Sequence, residues 1–149
     1  MFYKYEMTKR AEVTIGRAGE FLAASIIESL GYRSVLCQQP NFDMMIIDNG
    51  EFYRCEVKTT SGLAKDRTDR YAFTTSTGSK NKKPIDPKET DIICLVALDL
   101  RKCYFIKTDK YVKISTKVGL SSMLNNDEAV QLRQVMAELK KDKKRCGKR

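Results

Sequence analysis

The sequence contains no histidine, no tryptophan, only three prolines and no apolar run long enough to cross a membrane. The absence of histidine has the largest consequence. It excludes metal sites with histidine ligands, Ser-His-Asp and Cys-His catalysis, and nucleases that use a histidine beside a metal ion. We therefore expect no membrane partner, and any catalysis has to use other side chains.

The five cysteines contain no C-x-x-C pair, so no zinc site is predicted. Cys55 and Cys94 lie within apolar runs and are expected to be small core residues. The odd cysteine count and the lack of a signal peptide predict a reduced, intracellular setting. That setting is the cytoplasm or nucleoid, or the host cell if the protein is viral.

Acidic residues are scarce relative to basic ones, with 19 Asp and Glu against 28 Lys and Arg, a net charge of +9. This balance favours a polyanionic partner, although many soluble proteins are equally basic. A length of 149 residues and 42% hydrophobic residues predict one folded domain over residues 1–139. A basic tail, residues 140–149, follows; its charge suits contacts with phosphates.

Asn49-Gly50 separates two strand-like runs, residues 40–48 and 51–58. This dipeptide predicts a β-hairpin with a type I′ turn, which requires positive φ at both central residues. Counting outward from the turn gives the register of the hairpin. It pairs Met44 with Cys55.

One step further, the same register pairs Asp43 with Glu56, and Lys58 lies on the face of Glu56 because side chains alternate along a strand. Two carboxylates placed opposite each other repel. A divalent cation removes this conflict, and Mg²⁺ is commonly held by one or two carboxylates with water and phosphate oxygens. The alternative interpretation is a surface pair of Glu56 and Lys58 with Asp43 at the start of a strand.

A helical pattern extends from about Val13 to Leu30, and Gly31 is a natural C-terminal stop. Glu20 points from the middle of its apolar stripe, where an acid needs a partner. Either Glu20 reaches a nearby active site, or it extends to solvent from the end of the stripe. Glycines on this side of the helix would allow a close approach to a sheet.

The rest of the chain predicts further strands and one more helix. Residues 91–98 form the most apolar run and should be a central strand, buried on both faces. Strands are also expected at residues 32–36, 71–75 and 102–108, and a helix from about Asn126 to Arg145. Residues 76–90 are predicted to be a loop, and the N-terminal arm to residue 16 has no clear period.

An Asp, a hairpin and a Glu-x-Lys tripeptide, here Asp43 and Glu56-Val57-Lys58, resemble the core of the PD-(D/E)xK nucleases. The segment GRAGEFLAA, residues 16–24, looks like the corresponding helix of archaeal and phage Holliday junction resolvases. The resemblance extends over residues 16–107. It departs at the "PD" position, because Asn41 and Phe42 separate Pro40 from Asp43.

The resemblance implies an α/β fold with a restriction-endonuclease-like mixed β-sheet flanked by helices. It implies that Asp43 and Glu56 bind Mg²⁺, with Mn²⁺ as the alternative ion, helped by the backbone carbonyl of Val57. Glu20 would complete the acidic cluster directly or through water, and Lys58 would orient and polarise the attacking water. The implied substrate is branched or junction DNA, and two symmetric incisions imply a homodimer. Weaker candidates for contacts with phosphates are Arg17, Lys65, Arg67 and Arg70, together with Lys80, Lys82 and Lys83 of a loop that is equally compatible with a purely solvated role.

Three other functions remain open. The first is a site-specific endonuclease of homing or restriction type, although the sequence shows no separate base-reading module, which favours recognition of DNA structure through its backbone. The second is a non-catalytic DNA-binding protein on a nuclease fold, against which the intact set Asp43, Glu56 and Lys58 argues. The third is a basic adaptor for RNA or protein in which the acids are structural.

Overall fold

A computed structural model describes residues 9–78 and 80–147, which form three helices and nine strands within that part of the chain. The elements in chain order are α1 (Lys9–Ser29), β1 (Arg33–Gln39), β2 (Phe42–Asp48), β3 (Glu51–Thr60), β4 (Arg70–Thr74), β5 (Ser76–Thr77), β6 (Lys83–Pro84), β7 (Ile92–Ala97), β8 (Lys102–Lys107), β9 (Ser115–Gly119), α2 (Leu120–Leu124) and α3 (Glu128–Cys146). The first half of the predicted N-terminal arm, residues 1–8, and the last two residues of the basic tail lie outside the described residues.

A five-stranded mixed sheet with the strand order β1-β2-β3-β7-β8 forms the centre of the molecule. Only the β3–β7 pair is parallel, and the other three pairs are antiparallel. All six residues of β7 are buried, as its continuous apolar run predicts. Helices flank this sheet, so the predicted fold class, an α/β domain built on a mixed sheet, is confirmed.

Two hydrophobic cores cover the two faces of the sheet, and alternate residues of β7 contribute to each. On one face, α1 and α3 pack through Ala23, Ile27, Leu132 and Met136. On the other face lie β4, β9 and α2. They contribute Tyr71, Phe73, Val118 and Met123, which pack against Ile93 and Leu95 of β7. The sheet therefore separates a helical layer from a layer that contains a small two-stranded ribbon.

Several boundaries differ from the predictions for physical reasons. α1 begins at Lys9, within the stretch that has no clear period, because a helix can start before its apolar stripe does. β1 extends to Gln39 through an irregular pairing in which Gln38 has a φ of 46°. Residues 76–90 contain the short β5–β6 pair rather than only loop. The polar composition of that stretch gives no periodic signal.

α3 begins at Glu128, and its N-cap Asp127 accepts a hydrogen bond from the Val130 N–H at 3.1 Å. The start of this helix also covers the outer edge of β8. Glu128 and Gln131 accept hydrogen bonds from the backbone N–H groups of Cys103 and Phe105, at 3.0 and 2.6 Å. Side chains of α3 thus accept hydrogen bonds from backbone N–H groups on the outer edge of the sheet. No helix in the described ranges is long and apolar enough to cross a membrane.

Candidate active site at the fork between two strands

The predicted hairpin between β2 and β3 is confirmed in its turn and in its register as far as Met44 and Cys55. The predicted pairing of Asp43 with Glu56 is not formed, because the Asp43 carboxylate binds the Val57 N–H instead. Asn49 and Gly50 have φ values of 49° and 77°, as a type I′ turn requires. The pairs run from Asp48 and Glu51 at the turn to Met44 and Cys55 at the far end. Beyond that point β3 continues to Thr60 and is paired there only with β7. The two strands of the hairpin therefore separate into a fork.

Asp43 lies at the mouth of this fork. Its Oδ2 accepts a hydrogen bond from the backbone N–H of Val57 at 2.7 Å, so the carboxylate crosses toward the unpaired edge of β3. Burial, together with the charges of Glu56 and Glu20, raises the pKa of Asp43 from 3.8 to about 6, and this net shift already includes the opposing effects of the Val57 N–H and Lys58. The pKa of Asp43 therefore depends on the charges of all three of the other predicted site residues.

Glu56 and Lys58 project from β3 on the same side of the sheet. Their partners in β7 are Ile93 and Leu95, whose side chains lie in the core beneath the β4–β9 layer. Glu56 is only 8% exposed, and its Oε1 accepts a hydrogen bond from the Lys58 ammonium at 2.7 Å. The pair is close, as the alternative surface interpretation requires, but Glu56 is buried.

The backbone of Val57 also faces the fork. Within a strand, the N–H and C=O of one residue point to the same side. The Val57 N–H binds Asp43, so the Val57 carbonyl points toward β2 as well. Thr60, of the opposite parity, gives its carbonyl to Leu98 on the β7 side, which agrees with this assignment. The carbonyl that the resemblance implies as a metal ligand is thus directed into the site.

Glu20 approaches the site from α1 and is half-buried. Its Oε2 accepts a hydrogen bond from Arg17 at 2.7 Å, and the Arg17 guanidinium also lies 4.7 Å from the centre of the Phe21 ring. The charge of Glu20 reaches Asp43, whose pKa it raises. Arg17, predicted as a phosphate contact, is engaged with its own helix and would have to exchange this pairing to bind DNA.

The acids present a donor set that suits a hard divalent cation, namely carboxylate oxygens with one backbone carbonyl. Within residues 9–78 and 80–147, no three acidic or cysteine side chains stand close enough together to hold a metal without adjustment. Glu20 and Glu56 instead face Arg17 and Lys58. A cation would compete with these two bases for the same oxygens, and it would relieve the repulsion that raises the pKa of Asp43. By donor type, these residues suit a hard divalent cation once Arg17 and Lys58 release the carboxylate oxygens.

The remaining basic candidates divide into engaged and free groups. Arg67 forms a forked pair with Asp69, and Arg70 pairs with Asp66. Their charges are balanced locally. The other four candidates are lysines. They are exposed and have no observed side-chain partner in the described ranges: Lys65, Lys80, Lys82 and Lys83.

The basic tail does not begin at residue 140, because α3 continues to Cys146. Lys140 pairs with Asp48 at the hairpin turn, and Lys143 contacts the Phe52 carbonyl at 3.2 Å and the Tyr53 ring at 4.0 Å. Lys140 and Lys143 thus attach the end of α3 to the hairpin, and most other side chains of residues 140–146 are exposed. The sequence signal was the pair of acids, Asp48 and Glu51, that flanks the turn.

The chain resembles the solved structure of a bacterial homing endonuclease, I-Ssp6803I. The TM-score is 0.66 at 11% sequence identity, and the superposition covers 93% of this chain and 98% of the other. At this identity the likeness shows the fold alone. It supports the nuclease-fold part of the predicted resemblance and gives no support to the finer likeness to junction resolvases. No protein-family model and no curated protein matches the sequence.

Asp43, Glu56 and Lys58 lie at the fork, and Glu20 approaches it from α1. A well-formed cleft of the described residues lies elsewhere. That cleft, of about 580 Å³, lies between β8, β9 and α3, and its lining includes none of the four. A polymeric substrate lies along a surface and needs no enclosed pocket, so the chemistry of the fork is the better guide to the site.

Proposed function

We propose that this protein is a Mg²⁺-dependent DNA endonuclease of homing type, which hydrolyses phosphodiester bonds of duplex DNA at a specific site. The observation that carries this proposal is the fork. There, Asp43, the buried Glu56 and Lys58 meet on one edge of β3, and the charge of Glu20 reaches them from α1. The likeness of the fold to a homing endonuclease agrees with it.

Each residue has a distinct role in the proposed reaction. Asp43, Glu56 and the Val57 carbonyl would hold the cation, and Glu20 would complete the acidic cluster. Mg²⁺, or Mn²⁺ in its place, supplies Lewis-acid stabilisation of charge on the phosphate and lowers the pKa of a bound water. Lys58 would donate a hydrogen bond to the attacking water and hold it in line with the phosphorus. Water would add to phosphorus as one ester P–O bond breaks, and the attacking water would lose a proton to solvent. The leaving oxygen would keep the electron pair of the broken bond and take up a proton from solvent.

Site-specific cleavage of duplex DNA is favoured over resolution of junctions by the extent of the two resemblances. The likeness to the homing endonuclease covers nearly the whole of both chains. The likeness to junction resolvases rests on residues 16–24. Cleavage of both strands requires two active sites, so we include a homodimer in the proposal; light scattering of the purified protein tests it.

The decisive experiment compares the wild-type protein with the Glu56→Gln variant. We expect Glu56→Gln to abolish Mg²⁺-dependent cleavage, because it removes a metal ligand, and to leave DNA binding in EDTA intact or stronger, because it lessens repulsion of phosphate. Glu138→Gln is the matched control, since Glu138 is exposed on α3. Normal turnover by Glu56→Gln would refute the metal site.

The substrate is tested with a random-sequence duplex library beside a four-way junction of fixed sequence. The proposal predicts that the wild-type protein cuts a subset of the duplexes and gains little from the junction. If the protein cuts the junction and none of the duplexes, the result would favour a junction resolvase over a site-specific endonuclease. Cleavage of neither, with retained binding, would indicate a non-catalytic DNA-binding protein.

A further inference from the structure

The antiparallel pair of β4 and β9, called here the β4–β9 ribbon, has one buried and one exposed face. Tyr71, Phe73 and Val118 point into the core. The register pairs Ala72 with Lys117 and Thr74 with Ser115 on the opposite face. All four of these side chains are exposed. They form a small array of two residues by two.

The polar groups of this array have no observed side-chain partner in the described part of the chain. The neighbouring hydroxyls behave differently. Thr75 is bonded to the Lys113 carbonyl at 2.6 Å and to the Thr116 hydroxyl at 2.9 Å. The fold therefore uses the inner hydroxyls of this region and leaves those of Thr74 and Ser115 open.

The charged side chains of the ribbon and its flanks are mostly basic. Lys110, Lys113 and Lys117 form no salt bridge in the described part of the chain, whereas Arg70 is paired with Asp66, and Asp69 and Asp109 border the two segments. Lys80, Lys82 and Lys83 lie in the adjacent β5–β6 segment. This surface complements a polyanion.

The ribbon also lies on the side of the sheet toward which the proposed catalytic side chains project. Glu56 and Lys58 are paired with Ile93 and Leu95, and these two residues pack against the buried face of the ribbon. β4 follows β3 after residues 61–69. DNA positioned at Glu56 and Lys58 is therefore adjacent to the ribbon.

We propose that the exposed face of the β4–β9 ribbon reads bases in the major groove of duplex DNA; this rests on the proposed function. The major groove, about 12 Å wide, admits a two-stranded ribbon. Each side chain of the array has a chemistry used for base recognition. Lys117 donates to guanine O6 and N7, Thr74 and Ser115 bond to base edges, and Ala72 contacts a thymine methyl. The ribbon supplies the base-reading element that the sequence did not reveal.

The test selects bound molecules from a random-sequence duplex library in Ca²⁺, so that its readout does not depend on cleavage. We expect Lys117→Ala to reduce the preference for guanine at one position on the order of tenfold. The double variant Thr74→Ala with Ser115→Ala should relax the preference at neighbouring positions.

Two controls separate base reading from charge and from loss of hydroxyls. Arg133→Ala removes one exposed positive charge from α3, on the opposite layer, and Ser25→Ala removes an exposed hydroxyl from α1. Neither should alter the selected sequences. Selected sequences that are identical for the wild-type protein and the ribbon variants, or a wild-type protein that selects none, would overturn the reading role. If cleavage fails but the ribbon variants change the selection, the proposed catalytic function fails and the reading role stands.

Discussion

Gly19 of α1 lies directly against the side chain of Thr59 in β3. A Cβ atom on Gly19 would stand 2.7 Å from both Thr59 Cβ and Thr59 Cγ2, and closer still to Oγ1. The Thr59 hydroxyl is buried and has no hydrogen-bond partner among the described residues. This contact sets the approach of α1, which carries Glu20, to β3, which carries Glu56 and Lys58.

Gly19→Ala is expected to destabilise the protein although alanine favours helices. Alanine gains about 1 kcal/mol in helix propensity, but overpacking typically costs about 1–3 kcal/mol, and here the new methyl group meets a packed strand. The thermal midpoint should fall by a few degrees, and cleavage should fall with it as Glu20 moves away. Adding Thr59→Gly should restore part of both.

Gly16→Ala is the matched control on the same helix. Apart from its chain neighbours and the adjacent backbone of α1, no atom of the described residues lies within 4 Å of the position that its Cβ would occupy. The substitution should therefore raise the thermal midpoint or leave it unchanged. Equal effects at the two glycines would show that the contact with Thr59 does not set the position of α1.

In EDTA, the free energy of unfolding of the protein should depend on pH because Asp43 titrates. The unfolded carboxyl ionises near pH 3.8 and the folded one near pH 6, so the folded state binds more protons between these values. The Asp43 contribution to the free energy of unfolding therefore falls as the pH rises from about 4 to about 6 and is level above that. Asp43→Asn keeps an acceptor for the Val57 N–H and removes the titration.

The measurement is the difference in thermal midpoint between the wild-type protein and Asp43→Asn across this pH range, in which the other carboxyls cancel. We expect the thermal midpoint of the wild-type protein to fall relative to that of Asp43→Asn as the pH rises. Added Mg²⁺ should raise the thermal midpoint of the wild-type protein above pH 6 and have little effect on that of the variant. A difference that does not change with pH would contradict a raised pKa at Asp43.

Glu20→Gln separates a site carboxylate from a structural one, because the amide keeps the size of the side chain and removes its charge. We expect a large loss of cleavage rate in excess Mg²⁺. Without metal, the thermal midpoint should be unchanged or higher, and the titration of Asp43 should move to lower pH. Glu12→Gln, an exposed position on the same helix, is the control. Full activity of Glu20→Gln would remove this residue from the site.

Lys140→Met is expected to loosen the contact between α3 and the hairpin turn, because it removes the pair with Asp48. The pair is only partly exposed; solvent-accessible pairs contribute about 0.2–1 kcal/mol, so the thermal midpoint should fall slightly. Lys141→Met, at an exposed neighbouring position, should leave it unchanged. The expected effect should shrink in high salt, and equal midpoints for the two variants would exclude a role for this pair.

Local sequence patterns were sufficient to predict the parts of the site that depend on local geometry. Asn49-Gly50 restricts the turn, and a strand period of two then fixes the register from Asp48 to Met44 without any long-range information. The same period places Glu56 and Lys58 on one face. The apolar run of β7 predicted a buried central strand for the same reason.

Contacts between segments that are distant in the chain could not be predicted in this way and were visible only in the folded structure. The β4–β9 ribbon pairs Tyr71 with Val118, and no local pattern specifies a pairing over such a separation. The fate of Lys140 depends on packing of α3 against the hairpin. In the sequence, Gly19 indicates only that its helix could approach a sheet closely. Its contact with Thr59 depends on how a helix packs against a sheet, and packing is set by the summed fit of many side chains rather than by any one period.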